Sequence, residues 1–561
     1  MRVMGMRVLP VALLVAYAVL LLFDLERFPA INPDEPGYAE PAWTLITRGE
    51  FGAPMYAGMF GMEHRIYTNW PGRGVTTVLP YLLIGPTLAA ARLASVVMAL
   101  LLALFSGLAL RRVLRRSLAW LDWLAVVAVL TSPVVVVAGR FARPEIDVAA
   151  WTMAMVWCVD ALSREAIRPR RRNWAIASGV CAGCAFVMHQ YGLISVGVGL
   201  LMALRVWGGR NEWRGADTGW MVAGTALALL PWMAFILSDV PEFQRQFRAA
   251  VANQAWRYPA AAIAKTVINE VPGRYLLDRQ DYPVDWDPWG EVAQLIVPAF
   301  STSESAWPLR LLVRLARRPL ELGPVFVDRI WWLGIGVATV ALTAVGVARR
   351  SASRTTLLTI IGAAWVGALA LVPNKWIGYA VTPTVFVGLG GYVMASVRLP
   401  DSSRARQMVG VIIVVTITLN VASIASAWTS TPRSRNDVVE ALHDAIPVGA
   451  RVLIPFREWY TFVNRNPAIG LEGRSLPMFG TSLARSADEF GVEYVVMIGS
   501  ALGMKPFYWV EAGDPLVQAV TAQEMVGSGV QIIRGTHPGE EFVIVDVAQG
   551  QADVGVVTAR Q

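Results

Sequence analysis

Residues 90–110 read AARLASVVMALLLALFSGLAL and run directly into Arg111-Arg112-Val113-Leu114-Arg115-Arg116. A helix rises about 1.5 Å per residue, so an apolar run of this length covers roughly the 30 Å hydrocarbon core of a bilayer. The cluster of arginines at one end marks the cytoplasmic side, because Lys and Arg concentrate in cytoplasmic loops. One stretch therefore suggests both a membrane span and its direction.

The rest of the chain follows that stretch. Its 561 residues are 55% hydrophobic and only 16% charged, with a mean hydropathy of +0.48; soluble domains carry roughly 25% charged residues. Further candidate spans lie at 8–23, 119–138, 146–163, 174–189, 191–207, 219–237, 330–348, 355–372, 377–397 and 407–427. Backbone groups have no water partner in lipid, so these spans are expected to be helices. The loops at 111–116, 164–172, 205–214, 349–354 and 398–406 are basic. The alternate ones are poor in Lys and Arg, and segment 24–74 holds seven acids against four arginines. This parity places the N-terminus in the cytoplasm and everything after residue 428 outside. The expected fold is an all-α polytopic membrane bundle of about eleven transmembrane helices. The run Val8–Phe23 is read as an uncleaved first span, because no small-residue cleavage site follows it. The net charge of +8 is accounted for by these loops, so no nucleic acid is expected as a partner.

Two outer segments are long. Segment 24–89 contains the turn signals Asn32-Pro33-Asp34-Glu35-Pro36-Gly37 and the apolar stretch 75–88, too short to span and suited to lying along the interface. Segment 238–329 holds eleven basic and eleven acidic residues and the aromatic-rich run Tyr282–Trp289. After about residue 430 short β-type runs, Arg451–Ile454, Tyr494–Ile498 and Phe542–Val545, alternate with helix-like stretches such as Asn436–Ala445. That pattern predicts a C-terminal extracytoplasmic α/β domain. The expected division is residues 1–428 as the transmembrane core, with outer loops 24–89 and 238–329, and residues 429–561 as the soluble domain. Cys158, Cys181 and Cys184 all lie in apolar stretches. They read as small residues at helix contacts, since the CxxC pair lacks a second pair for zinc.

Charges near membrane depth are costly and tend to mark function. Here they gather on the outer side. Asp34 and Glu35 follow the first span, Arg143, Glu145 and Asp147 open the fourth, and His189 ends the fifth. Lys375, one of only three lysines, lies between the ninth and tenth. Carboxylates there could act as a general base or hold a metal, and cations could hold a phosphate. The plainer reading is that loop ends are polar, with Asp34 and Glu35 capping a helix.

The stretch Asn32–Ala42, followed by Arg48-Gly49-Glu50-Phe51, resembles the opening of GT-C-type membrane glycosyltransferases. The protein O-mannosyltransferase and lipid A aminoarabinose transferase group is the nearest by pattern. Ala91-Arg92-Leu93-Ala94-Ser95 resembles the start of a family span. Ala142-Arg143-Pro144-Glu145 resembles its second acidic motif, with Glu for Asp. Gly183–His189 resembles a third motif, with His189 where lysine is usual. Asn374-Lys375-Trp376, Tyr379 and Pro383 resemble the family's late outer loop. The resemblance covers about residues 8–400.

The resemblance implies an inverting transferase in the plasma membrane. It would move a sugar from a polyprenyl-phosphate donor to a glycan, lipid or protein acceptor on the extracytoplasmic face. Asp34 would be the general base, helped by Glu35, with Glu145 as a further catalytic carboxylate. Arg143, Lys375, His189 and Tyr379 would bind the donor phosphate, and Tyr38 and Asp147 the substrate. A divalent metal, magnesium or manganese, would be held by Asp34 and Glu145. Histidine holds a phosphate only when protonated, so His189 is a weaker cation than lysine. The competing classes are a transporter or lipid-linked-sugar flippase and a non-catalytic scaffold. A transporter is expected to show repeats and midplane charges; the sequence shows no repeat, and its charges lie at the outer face.

Overall fold

The computed structural model describes residues 2–68, 70–203, 215–253, 381–398, 403–430, 436–470, 489–498, 530–534, 541–546 and 556–558. The expected spans at 330–348 and 355–372, the run Tyr282–Trp289, Lys375 and Tyr379 lie outside these residues.

Helices dominate. They are α1 (Arg2–Leu22), α2 (Asp34–Arg48), α3 (Pro71–Ile84), α4 (Leu88–Leu114), α5 (Trp120–Leu130), α6 (Pro133–Arg140) and α7 (Glu145–Arg164). There follow α8 (Arg168–Met188), α9 (Leu193–Ala203), α10 (Gly215–Leu237), α11 (Val240–Asn253), α12 (Val381–Arg398) and α13 (Ser403–Ser430). Among the described residues four helices are long and apolar enough to cross a membrane: Leu88–Leu114, Glu145–Arg164, Gly215–Leu237 and Arg406–Thr429.

The expected single span at 119–138 differs: it is the pair α5 and α6, bent by 65°. Pro133 opens α6. A proline lacks an N–H and fits the first turn of a new helix rather than the interior of an old one. The bend turns the end of α6 so that Arg140 reaches the loop after α1.

A buried cluster knits α1, α4, α5, α6, α7, α8 and α12 together around Leu102, Val135, Met153 and Phe386. α8 packs on α10 through glycines. A Cβ at Gly179 would sit 1.9 Å from the Met221 carbonyl, and one at Gly224 would sit 2.2 Å from the Ile176 carbonyl. Small residues at such contacts let backbones approach where lipid offers no hydrophobic drive.

The segment 24–89, read above as turn signals followed by an interfacial apolar stretch, carries two helices. α2 starts at Asp34 with Pro33 before it and ends at Gly49, whose φ of 72° suits the left-handed cap. Pro36 falls in the first turn, where an N–H would have no helical partner anyway. α3 leaves Val75, Leu79, Leu82, Leu83 and Ile84 exposed and buries Arg73, Thr77 and Tyr81, an apolar face suited to the membrane interface.

Beyond α13 come α14 (Asn436–Ala445), α15 (Trp459–Phe462) and strands β1 (Val452–Ile454), β2 (Ala468–Gly470), β3 (Tyr494–Ile498), β4 (Val530–Arg534), β5 (Glu541–Asp546) and β6 (Val556–Thr558). They form one mixed sheet in the order β2-β1-β3-β5-β4-β6. β1 runs parallel to β2 and β3, while β5 runs antiparallel to β3 and β4. A second buried cluster joins this unit to segment 24–89. Met55, Met59, Met62 and Ile66 share it with Leu442, Ile454, Trp459 and Phe462.

Candidate active site

The site is built where the end of α1, the start of α2 and the turn between α6 and α7 meet. The loop between α1 and α2 has carbonyls that need donors at a depth where water is scarce. Two buried arginines supply them. Arg140 donates to the carbonyls of Leu20, Phe23, Asp24 and Phe28 at 2.6–2.9 Å. Arg92 donates to those of Leu25 and Pro29 at 2.8 Å each.

Arg92 also ties down the first turn of α2. Its Nε and Nη2 donate to the two oxygens of Glu35 at 2.9 and 2.8 Å. The same carboxylate accepts the backbone N–H of Asn32 and of Ala142, each at 2.8 Å. Both side chains are fully buried. With four donors on two oxygens, Glu35 is a strut that joins α2, α4 and the loop before α7.

Asp34 points the other way. Its side chain is 60% exposed, and Oδ2 pairs with Arg143 Nη1; among the described residues Oδ1 has no hydrogen-bond partner. The Asp34 N–H is held by Asn32 Oδ1 at 2.9 Å. Arg143 is nearly buried and donates through Nε and Nη2 to Glu145 Oε1, at 3.1 and 3.0 Å. It lies over the Tyr38 ring at 5.6 Å. Burial pushes the Tyr38 phenol above its ordinary value, so it stays protonated and able to donate. His189 is buried at the end of α8, where its Nδ1 accepts the Tyr191 N–H at 3.3 Å. It is near enough to Arg143 to feel its charge.

The structure thus brings together Asp34, Tyr38, Arg143, Glu145 and His189. Asp147 lies two residues into α7 from Glu145 and is fully enclosed, pairing with the equally enclosed Arg73 at 3.4 Å. Buried atoms without a hydrogen-bond partner cluster here too: Glu145 Oε2, Asp147 Oδ1 and Arg73 Nε. Arg73 and Arg140 were not singled out from sequence. The signal that could have found them is an arginine on the outer, otherwise arginine-poor side.

A metal held by Asp34 and Glu145 would share those carboxylates with Arg143. The guanidinium of Arg143 lies between the two carboxylates, and among the described residues no group of three His, Cys, Asp or Glu stands ready for an ion.

Comparison with known proteins extends the resemblance drawn from the sequence. Residues 4–247 match the model of a family described as dolichyl-phosphate-mannose-protein mannosyltransferase. No curated protein matches in sequence. Among solved structures, ArnT from Cupriavidus metallidurans bound to undecaprenyl phosphate aligns over 97% of this chain and 99% of its own, with a TM-score of 0.56 and 17% identity. The Archaeoglobus fulgidus oligosaccharyltransferase in its apo form aligns over 93% and 73%, with a TM-score of 0.52 and 14% identity. The same organism's AglB, in complex with an inhibitory peptide and a dolichol-phosphate, aligns over 96% and 74%, at 0.50 and 12%. These likenesses show that the chain shares the fold of the ArnT and oligosaccharyltransferase structures.

Proposed function

We propose that this protein is a membrane glycosyltransferase with this course of reaction: it moves a sugar from a lipid-phosphate-linked donor to an acceptor hydroxyl on the extracytoplasmic face of the plasma membrane, with inversion, and Asp34 is the general base. The observation that carries the reading is the contrast at the DE pair. Glu35 is saturated with donors inside the protein, whereas Asp34 is exposed with one oxygen open and the other held by Arg143. A base needs an accessible lone pair and a fixed direction, and Asp34 has both.

In that course the acceptor oxygen attacks the anomeric carbon from the face opposite the phosphate. The bond from that carbon to the phosphate oxygen breaks, its electron pair leaves with the polyprenyl phosphate, and Asp34 takes the hydroxyl proton. Cations that meet the departing phosphate stabilise the charge that develops there; Arg143 and Lys375 are assigned that work, and His189 and Tyr379 are assigned further contacts to the same phosphate. Arg143 also keeps Asp34 aimed. Glu145 holds Arg143 from behind, and Glu35 positions the first turn of α2. Tyr38, protonated and stacked on Arg143, donates to the substrate, and Asp147 supports that wall through Arg73. A lipid donor accounts for the enzyme's place in the bilayer, since the long apolar tail already lies there.

The proposal carries the topology with it: about eleven spans, a cytoplasmic N-terminus, and the unit from residue 429 onward as an extracytoplasmic α/β domain. Single-cysteine labelling should find residue 440 accessible from outside; cytoplasmic labelling there would move the active face to the wrong side. The direct test of function is to incubate the purified protein with a panel of polyprenyl-phosphate sugars and acceptors. Release of polyprenyl phosphate coupled to acceptor glycosylation is the expected result, and no release from any donor would sink the reading.

A further inference from the structure

The carboxylate of Glu40 is buried on α2, six residues after Asp34, and three contacts hold it. The Met55 N–H donates to its two oxygens at 3.2 and 3.1 Å. The Trp459 indole N–H, from the C-terminal unit, donates to Oε1 at 2.9 Å. Trp459 opens α15 and is 2% exposed, among the largest fully enclosed side chains among the described residues. Its neighbour Tyr460 lies ring to ring with it at 5.0 Å and comes close enough to Glu35, Arg92 and Arg73 to feel their charges. The Tyr56 ring meets the Phe456 ring at 5.0 Å on the same side.

α2 is therefore held at two points. Glu35 fixes its first turn to α4 and the Ala142 loop. Glu40, about 7.5 Å further along a helix rising about 1.5 Å per residue, fixes it to the C-terminal unit. A helix pinned at one end can pivot; one pinned at both ends keeps its first residue in place. That first residue is Asp34.

We propose that Trp459 is a positioning residue for sugar transfer: its indole N–H, donated to Glu40, locks α2 against the C-terminal unit and so holds Asp34 at the distance the reaction requires. The C-terminal unit then contributes to catalysis without touching the substrate. The proposal rests on the reading of Asp34 as base. Misplacing a reacting group by about 1 Å can cost on the order of a hundredfold in rate, so one lost hydrogen bond at this latch has room to matter.

The test uses the full chain and three variants: Trp459→Phe, which keeps a ring and deletes the donor, Glu40→Ala, which deletes the acceptor, and the double variant. Each single variant should elute as a folded, monodisperse species and lower kcat about tenfold or more, with donor KM within about twofold of wild type. The double variant should lose no more than the worse single one, because both cut the same bond. Hydrogen exchange at amides 34–48 should quicken in Trp459→Phe, while that at 145–164 stays as in wild type. An unchanged kcat, additive losses, or unchanged exchange in α2 overturns the proposal. Asp34→Asn, measured alongside, separates the two failures: full activity in that variant removes the base reading, whereas unchanged α2 exchange in Trp459→Phe removes the positioning role whatever Asp34→Asn does.

Discussion

Two neighbouring parts of this molecule use the same residue types to opposite ends. The wall of the site is made of ion pairs fully enclosed by protein, Glu35 with Arg92 and Asp147 with Arg73. Its mouth is the chain of contacts from Asp34 through Arg143 to Glu145, open to solvent at Asp34. Arginine and carboxylate alone do not distinguish the two parts; burial and donor count do. An enclosed carboxylate such as Glu35 has lost its water and is satisfied by protein donors instead, so it becomes rigid and unreactive. A carboxylate at the mouth keeps a free oxygen and can exchange a proton with a substrate.

The comparison is broken most directly at Asp34. Asp34→Asn should lower turnover by roughly 100- to 10,000-fold, the usual span for loss of a general base. Its unfolding temperature should stay near wild type, since Arg143 keeps Glu145. A stable variant with near wild-type transfer would move the base elsewhere, with Glu145 next to be tested.

One residue along, the cost should fall on folding instead. Glu35→Ala strands Arg92 in the interior, and removing one partner of a buried pair costs about 3–5 kcal/mol. Thermal unfolding in detergent should show that loss, and the protein is expected to lose monodispersity before it loses donor binding. A Glu35→Ala protein as stable as wild type would mean that the wall is not a strut.

Glu40 sharpens the comparison through pH. Burial raises its carboxyl to about 8 from the ordinary 4.5, against the hydrogen bonds from Met55 and Trp459 and the charge of Arg48. A folded-state value above the unfolded one means that the contribution to stability is full below 4.5 and is lost as pH rises through about 8. Glu40→Gln has no proton to lose. Its stability should therefore gain on that of wild type as pH is raised from 5 to 8, by at most about 1.4 kcal/mol per pH unit, and the gain should level off above. A difference that is flat or of opposite slope would show that the site is wetter than its burial implies.

The smallest effect belongs to the surface. Arg245 pairs with Glu242 with its side chain about half exposed. Arg245→Ala should change stability by about 0–1 kcal/mol, as exposed pairs do. A loss as large as that of Glu35→Ala would dissolve the distinction between wall and surface.

Much of this was readable in the chain. The apolar runs placed α4, α7, α10 and α13, because in lipid a long apolar segment has only one way to satisfy its backbone. The gathering of Asp34, Arg143, Glu145 and His189 was readable too, since each lies at the end of such a run. The bend at Pro133 was not recovered, because the apolar run continues across it and hydropathy averages over a window. α2 was hidden by its own prolines and glycine, which read as turn signals although Pro36 sits where a helix tolerates it.

What the sequence by itself determined is composition-driven: a mostly helical chain with several long apolar helices, the helix ends at which its charges collect, and which short motifs resemble those of lipid-phosphate glycosyltransferases. What only the tertiary structure decided is the division of labour among the charges. Nothing in the pair Asp34-Glu35 says which carboxylate is enclosed. That depends on Arg92, 57 residues from Glu35, and on the Ala142 N–H, 107 residues away. Likewise Trp459 meets Glu40 across 419 residues. Desolvation and donor count are properties of a folded neighbourhood, and a neighbourhood is assembled from segments that the sequence keeps far apart.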